Sequence, residues 1–199
     1  MMTRTTYPAL PTGRISAAGC FLSTSHSPTQ VRIDSPALQV MTDLTRQPAA
    51  SIGRHALVSE ANLAMIHRGV RMLFVTGEDR QLEGIVTATD VLGERTMQAM
   101  QQLGLTREEM RVEHIMTAVA ELETIELAMV TRAEVGHVIA TLKACSRQHA
   151  FVVDRNAAGR QIICGVFSAT QIARQLGATI HTGEVARTFA EIEAVIAGS

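Results

Sequence analysis

Aromatic side chains are scarce in this sequence: five Phe, one Tyr and no Trp make up 3% of 199 residues. The stacking platforms that hold single-stranded nucleic acid are therefore missing. An excess of one charge is missing too, since 18 Lys and Arg meet 19 Asp and Glu. That balance leaves no electrostatic footprint for a duplex, so nucleic acid is excluded as a partner. Cysteine is sparse. Cys20, Cys145 and Cys164 form no C-x-x-C pair, and an odd, low count speaks against a disulfide framework and for free thiols in a reducing cytoplasm.

Long hydrophobic runs are also absent. No stretch of about 18 apolar residues exists to span a bilayer. The segment Ala17-Ala18-Gly19-Cys20 has a faint look of a lipoprotein cleavage site, but Pro8, Pro11 and Arg14 interrupt any apolar signal core before it. The expectation is a cytoplasmic protein without membrane attachment. Catalytic signatures are missing as well: there is no G-x-S-x-G, no Walker-type loop and no G-x-G-x-x-G. None of the seven histidines pairs with another at the i, i+4 spacing of a helical metal site. Cys145 and His149 are close in the chain, but a linker between helix and strand is a poor setting for a catalytic dyad. Neither an enzyme nor a metal centre is expected.

What the chain does have is core material. Hydrophobic residues make up 46%, including ten Met, so Val, Ile, Leu, Ala and Met must build the interior. Met97, Met100, Met110 and Met116 read as core or interface filler. Residues 1–33 are rich in Thr, Ser, Pro and Gly and read as a loosely docked or poorly ordered leader.

From there the chain repeats itself. The first copy runs through Val40-Met41-Thr42, a helical stretch Ser59–Arg68, the apolar run Met72–Val75, a polar turn Gly77–Arg80, and Gly84-Ile85-Val86-Thr87-Ala88-Thr89-Asp90. The second runs through Ile115-Met116-Thr117, a helical stretch Arg132–Ala144, the run Phe151–Asp154, a polar turn Arg155–Arg160, and Gly165-Val166-Phe167-Ser168-Ala169-Thr170-Gln171. Ser59 is positioned to cap the first helix and Gly69 to end it in a left-handed turn. Thr131 and Glu134 have capping-box spacing before Val135, Val138, Ile139 and Leu142, which share one helical face. Met72–Val75 and Phe151–Val153 are short and apolar and read as buried strands. Second strands follow at Gln81–Val86 and Gln161–Phe167, then helices from about Thr89 and Thr170. Thr106-x-x-Glu109 predicts a further short helix between the copies, and Glu184–Ala197 a last amphipathic one. The fold class is thus α/β (α+β): two tandem β-α-β-β-α repeats related by a pseudo-twofold axis. They occupy residues 34–117 and 118–178, with a C-terminal helix in 179–199.

The segment Gly84–Asp90 carries the chemistry. Gly84 lets another backbone or a flat ring approach the strand closely. Thr87 and Thr89 set hydroxyls beside the free N–H groups of a helix start, which favour phosphate. Asp90 is an acceptor one turn in, suited to ribose hydroxyls. Plain helix capping by Thr and Asp accounts for one such segment equally well; recurrence at the same place in the second copy is what favours a ligand.

Two such units, each closing on Gly-apolar-apolar-(Thr/Ser)-x-x-(Asp or similar), resemble a cystathionine-beta-synthase (CBS) domain pair, or Bateman module. The resemblance covers about residues 36–177. It includes the opening Met41-Thr42 and Met116-Thr117 and the strands Leu73–Thr76 and Phe151–Asp154. It implies that Thr87 meets phosphate and Asp90 ribose in the first copy, with Thr89 nearby, and that Ser168 meets phosphate in the second, beside Thr170. Gln171 stands where the second Asp is expected, so the second site is expected to be weaker, altered or empty. The resemblance further implies that Pro48–Ser51 and Arg71–Leu73 hold the base, with Arg71 near a phosphate. Arg71 also reads as a solvated strand-end charge, and Arg147 more so. The implied function is a regulatory sensor of AMP, ADP or ATP, without a required cofactor, paired as a homodimer and acting on a separate, unidentified target protein. The alternatives are a ligand-free dimerisation or interaction module and an S-adenosylmethionine sensor.

Overall fold

Short apolar runs bounded by turns become strands here, and apolar residues three and four apart become the helices that cover them. The computed structural model of the protein describes residues 31–78, 81–178 and 185–197. The leader up to residue 30, with Cys20, lies outside the described residues, as do Asp79 and Arg80 of the first hairpin turn, His181, and Glu184 at the expected start of the last helix.

Two four-stranded sheets form. The first has the order β2 (Ser51–Gly53), β3 (Met72–Thr76), β4 (Leu82–Thr87), β5 (Thr117–Ala118). The second has the order β6 (Thr124–Glu126), β7 (His149–Arg155), β8 (Gln161–Ser168), β1 (Thr42–Asp43). Each is a parallel pair followed by antiparallel neighbours. The two halves exchange their opening strands. β5 opens the second repeat in sequence but pairs with β4, while β1 opens the first and pairs with β8. This reciprocal exchange gives the pseudo-twofold relation its physical form, because each half completes the sheet of the other.

Among the described residues the helices are α1 (Val58–Arg68), α2 (Ala88–Leu92), α3 (Glu94–Leu103), α4 (Leu127–Val130), α5 (Val135–Ala144), α6 (Ala169–Gln175) and α7 (Val185–Ala197). One core lies between the first sheet and α1 to α3, built from residues such as Ala61, Met65, Leu73, Val86 and Met110. The other joins the second sheet to α5, α6 and α7 and contains Val135, Val138, Ile139, Leu142, Phe167, Phe189 and Ile192. Between the sheets, Phe74, Ile85, Phe151 and Val166 form a third apolar cluster. The Phe74 and Phe151 rings meet edge-to-face at 5.9 Å, one from each half, a favourable aromatic arrangement.

Several helix ends differ from their expected form. Helix α1 starts one residue before Ser59. Its N-cap is Leu57, whose N–H donates to the Glu60 carboxylate at 2.7 Å, so a carboxylate on the third helical residue does the capping. Gly69 does end α1 in a left-handed conformation, at φ 64°. The Thr131–Glu134 capping box does not form. Thr131 closes α4, its hydroxyl donating to the Ala128 carbonyl, and the Glu134 N–H ahead of α5 donates to His137 Nδ1. Thr106 and Glu109 are bonded as a capping box would be, with Thr106 N–H and Oγ1 both donating to Glu109 at 2.9 Å. They close an isolated turn there, not a helix. The helix after β4 is broken at Gly93 into α2 and α3.

Candidate functional site

Thr87 ends β4 and is the N-cap of α2. Its hydroxyl accepts from the Asp90 N–H at 3.3 Å, while Asp90 Oδ2 accepts from the Thr87 N–H at 2.8 Å and from its hydroxyl at 2.7 Å. The capping role weighed for these two residues is thus realised. It leaves Asp90 Oδ1 directed elsewhere: that oxygen accepts from Arg95 at 3.1 Å, and the same guanidinium nitrogen donates to the Thr117 hydroxyl at 2.9 Å. A carboxylate, an arginine and a hydroxyl therefore tie α2 and α3 to β5 across the two halves of the repeat.

These groups open onto a cavity of about 710 Å³ between the two sheets, within the range of small-molecule sites. Six of the seven expected ligand residues line it: Arg71, Thr87, Thr89 and Asp90 from the first half, and Ser168 and Thr170 from the second. Its apolar surface includes Ile85 and Phe151. Arg95 and Arg147 add positive charge beside Arg71, and Glu121 and Glu123 place negative charge elsewhere on the lining. The two closing motifs, expected to serve separate sites, meet in one cavity.

The seventh residue, Gln171, is not among the lining residues. Its Oε1 accepts from the Thr42 hydroxyl at 3.2 Å. Thr42 and Thr117 are the pseudo-equivalent opening threonines, so each closing helix is linked to the opposite opening strand. One link is charged and runs through Arg95; the other is neutral and direct. Pro48–Ser51 also lies away from this lining. The strand exchange explains it, since the cavity beside Thr87 and Asp90 faces the preceding segment of the second half, Glu121 to Glu123, and not that of the first.

The α5–β7 connection and the first residue of β7 supply lining residues given no ligand role in the sequence: Ser146, Gln148 and His149, beside Arg147. Ser146 takes φ 52°, the left-handed position that Gly69 fills after α1. Thr170 Oγ1 donates to Gln148 Oε1 at 3.3 Å. His149 is surrounded by protein on most sides and open to the cavity on one. Burial and, less strongly, Arg71 push its pKa down and Asp90 opposes them; the net effect lowers it from 6.5 to about 4, so the ring is neutral near pH 7. Its place in the site follows from its register against Ser168; Arg95, on the helix after the break at Gly93, carried no mark in the sequence either.

Among the described residues, no group of three or more His, Cys, Asp or Glu is arranged to hold a metal ion, and no helix is long and apolar enough to cross a membrane.

Comparison with known proteins agrees with this architecture. The CBS domain family model matches residues 39–96, the stretch that contains Arg71, Thr87, Asp90 and Arg95. No curated protein matches the chain in sequence. An uncharacterized conserved protein from Pyrococcus horikoshii is similar in structure, with 20% identity over 77% of this chain and 100% of that one, at a TM-score of 0.53. CBSX2 of Arabidopsis thaliana, in complex with AMP, shares 20% identity over 70% of this chain and 94% of that one, at a TM-score of 0.49. A CBS-domain containing protein from Agrobacterium tumefaciens shares 17% identity over 66% of this chain and 88% of that one, at 0.48. Residues 39–96 thus match a CBS domain, and a similar order of strands and helices recurs in the second half.

Proposed function

We propose that this cavity binds an adenine nucleotide, AMP or ATP, and that the protein is a regulatory module, without catalysis of its own, that reports occupancy to another polypeptide. The observation that carries the reading is the meeting of the two closing motifs, Thr87 with Asp90 and Ser168 with Thr170, beside Arg71, Arg95 and Arg147 and over Ile85 and Phe151. Hydroxyls and guanidinium groups are phosphate donors. Asp90 Oδ1 is the acceptor for ribose, reached when Arg95 turns from it to a phosphate. The apolar surface receives the base. A ligand seated there touches both halves, so binding changes how the halves are held together, and that is what a target protein reads. Exposed Leu63, Ile66, Leu92 and Met97 on α1 to α3 are apolar surface suited to a second copy; a solution mass twice that of one chain tests this.

Glu121 and Glu123 favour a second reading, S-adenosylmethionine, whose sulfonium they would attract. Titration calorimetry with AMP, ADP, ATP, NAD and S-adenosylmethionine separates the two. The nucleotide reading expects binding of AMP or ATP, weakened at least about tenfold in Arg71→Ala by loss of a charge-assisted phosphate contact. Binding of S-adenosylmethionine alone would replace it, and no binding of any of the five at millimolar concentration would leave a ligand-free interaction module.

A further inference from the structure

The two halves can be superposed by their strand registers. Thr87 pairs with Met72, and the equivalent Ser168 pairs with His149. Likewise the Ala88 N–H donates to the Arg71 carbonyl, and the Ala169 N–H to that of Gln148. His149 therefore occupies the position of Met72, and Phe151 that of Phe74. Met72 packs against the apolar cluster between the sheets. Packing alone does not call for a histidine at this position, since the other half fills it with a thioether.

The His149 ring faces the cavity beside Arg71. Among the described residues no group hydrogen-bonds to it. The residue is half-buried, with one side open to the cavity, so a ligand seated there is within reach of the ring.

We propose that His149 is a further ligand-binding residue of the cavity and that it accepts a proton as a phosphate group seats beside it and Arg71, so that occupancy rises as pH falls. The inference rests on the nucleotide reading above. Without a ligand, burial and then Arg71 hold the ring neutral, and Asp90 opposes them. The other charged groups of the lining are Arg95 on α3, Glu121 and Glu123 ahead of β6, and Arg147 beside His149 in the α5–β7 connection. A phosphate changes the balance, because its negative charge offsets the arginines and favours imidazolium. The proton comes from solvent and stays on the ring as a donor to a phosphate oxygen.

The test is calorimetry with AMP at pH 5.5 and 7.5, in buffers of different ionisation enthalpy, for the wild type, His149→Gln and His149→Met. The methionine variant takes the residue of the equivalent position and guards against a folding defect. AMP's own phosphate titrates near pH 6, so the readout is the difference between wild type and variants. We expect the wild type to gain about fourfold in affinity over both variants on going from pH 7.5 to 5.5, and to take up more protons per AMP bound. Equal pH dependence and equal proton uptake in all three proteins would overturn the inference while leaving nucleotide binding intact. Absence of AMP binding at both pH values would overturn the nucleotide reading, and this inference with it.

Discussion

A histidine kept neutral inside a protein binds its proton more readily after unfolding, and this gives His149 a signature in stability. Burial and Arg71, opposed by Asp90, bring its folded pKa to about 4, against 6.5 for a free ring. The unfolded chain takes up the proton first as pH falls, so stability is full above about pH 6.5 and declines down to about pH 4. At pH 5 the loss from this residue is about 2 kcal/mol. The carboxylates of Glu109 and Glu113 act in a different window. Hydrogen bonds from Thr106 hold Glu109 below 4.5; at Glu113 burial works against the lowering, but bonds from His55 and Arg54 prevail. Their contribution is lost only below that value. Urea unfolding at pH 7 and pH 5 therefore separates them: the wild type should lose stability between the two and His149→Met should not. Equal losses would show that His149 is not held neutral. His149 was hard to read in the sequence because its role comes from its register against Ser168, which only the paired strands reveal. Ser146 was hidden for a related reason. A glycine at position 69 announces a left-handed helix end, whereas a serine in the same conformation carries no such mark.

At the scale of single elements, Gly84 shows what the closing motif demands. The sequence allowed a close approach by either a backbone or a flat ring, and the neighbour is a backbone: a Cβ here would collide with the Thr117 carbonyl oxygen of β5. Gly84 thus permits the exchanged strand to pair. Gly84→Ala should cost about 1–3 kcal/mol through forced displacement of β5, measured as a lower urea midpoint. An unchanged midpoint would mean that β5 is not held against β4. The strands β3, β4, β7 and β8 and the helices α1, α5 and α7 were legible because each has an apolar period that fits only one geometry. Strands β2 and β6 were not, since three residues each, Ser51–Gly53 and Thr124–Glu126, are too few to show alternation. The capping signals failed at Ser59 and Thr131, where Glu60 and His137 reach the free N–H groups instead.

At the scale of the whole molecule, the repeat was plain in sequence but the exchange of opening strands was not. That exchange decides which segments share a cavity. It brings Ser168 and Thr170 to Thr87 and Asp90, puts Glu121 to Glu123 on the lining in place of Pro48–Ser51, and leaves Gln171 bonded to Thr42. Local pattern records what each strand buries; pairing between distant strands is set by how the two halves complete one another. A ligand bound in a cavity lined from both halves would stabilise the molecule as a unit.

The most direct test of the central claim is the melting temperature with and without AMP, for the wild type and Asp90→Asn. The asparagine keeps an acceptor for the Thr87 cap but removes the charge. At a ligand concentration about a hundred times Kd, mass action stabilises the native state by about 2.7 kcal/mol, which raises the midpoint by roughly 5–10 °C for a chain of this size. The account predicts that rise in the wild type and a much smaller one in Asp90→Asn at the same AMP concentration. Equal rises in both would place the nucleotide elsewhere, and no rise in the wild type would contradict the claim that this cavity is a nucleotide site.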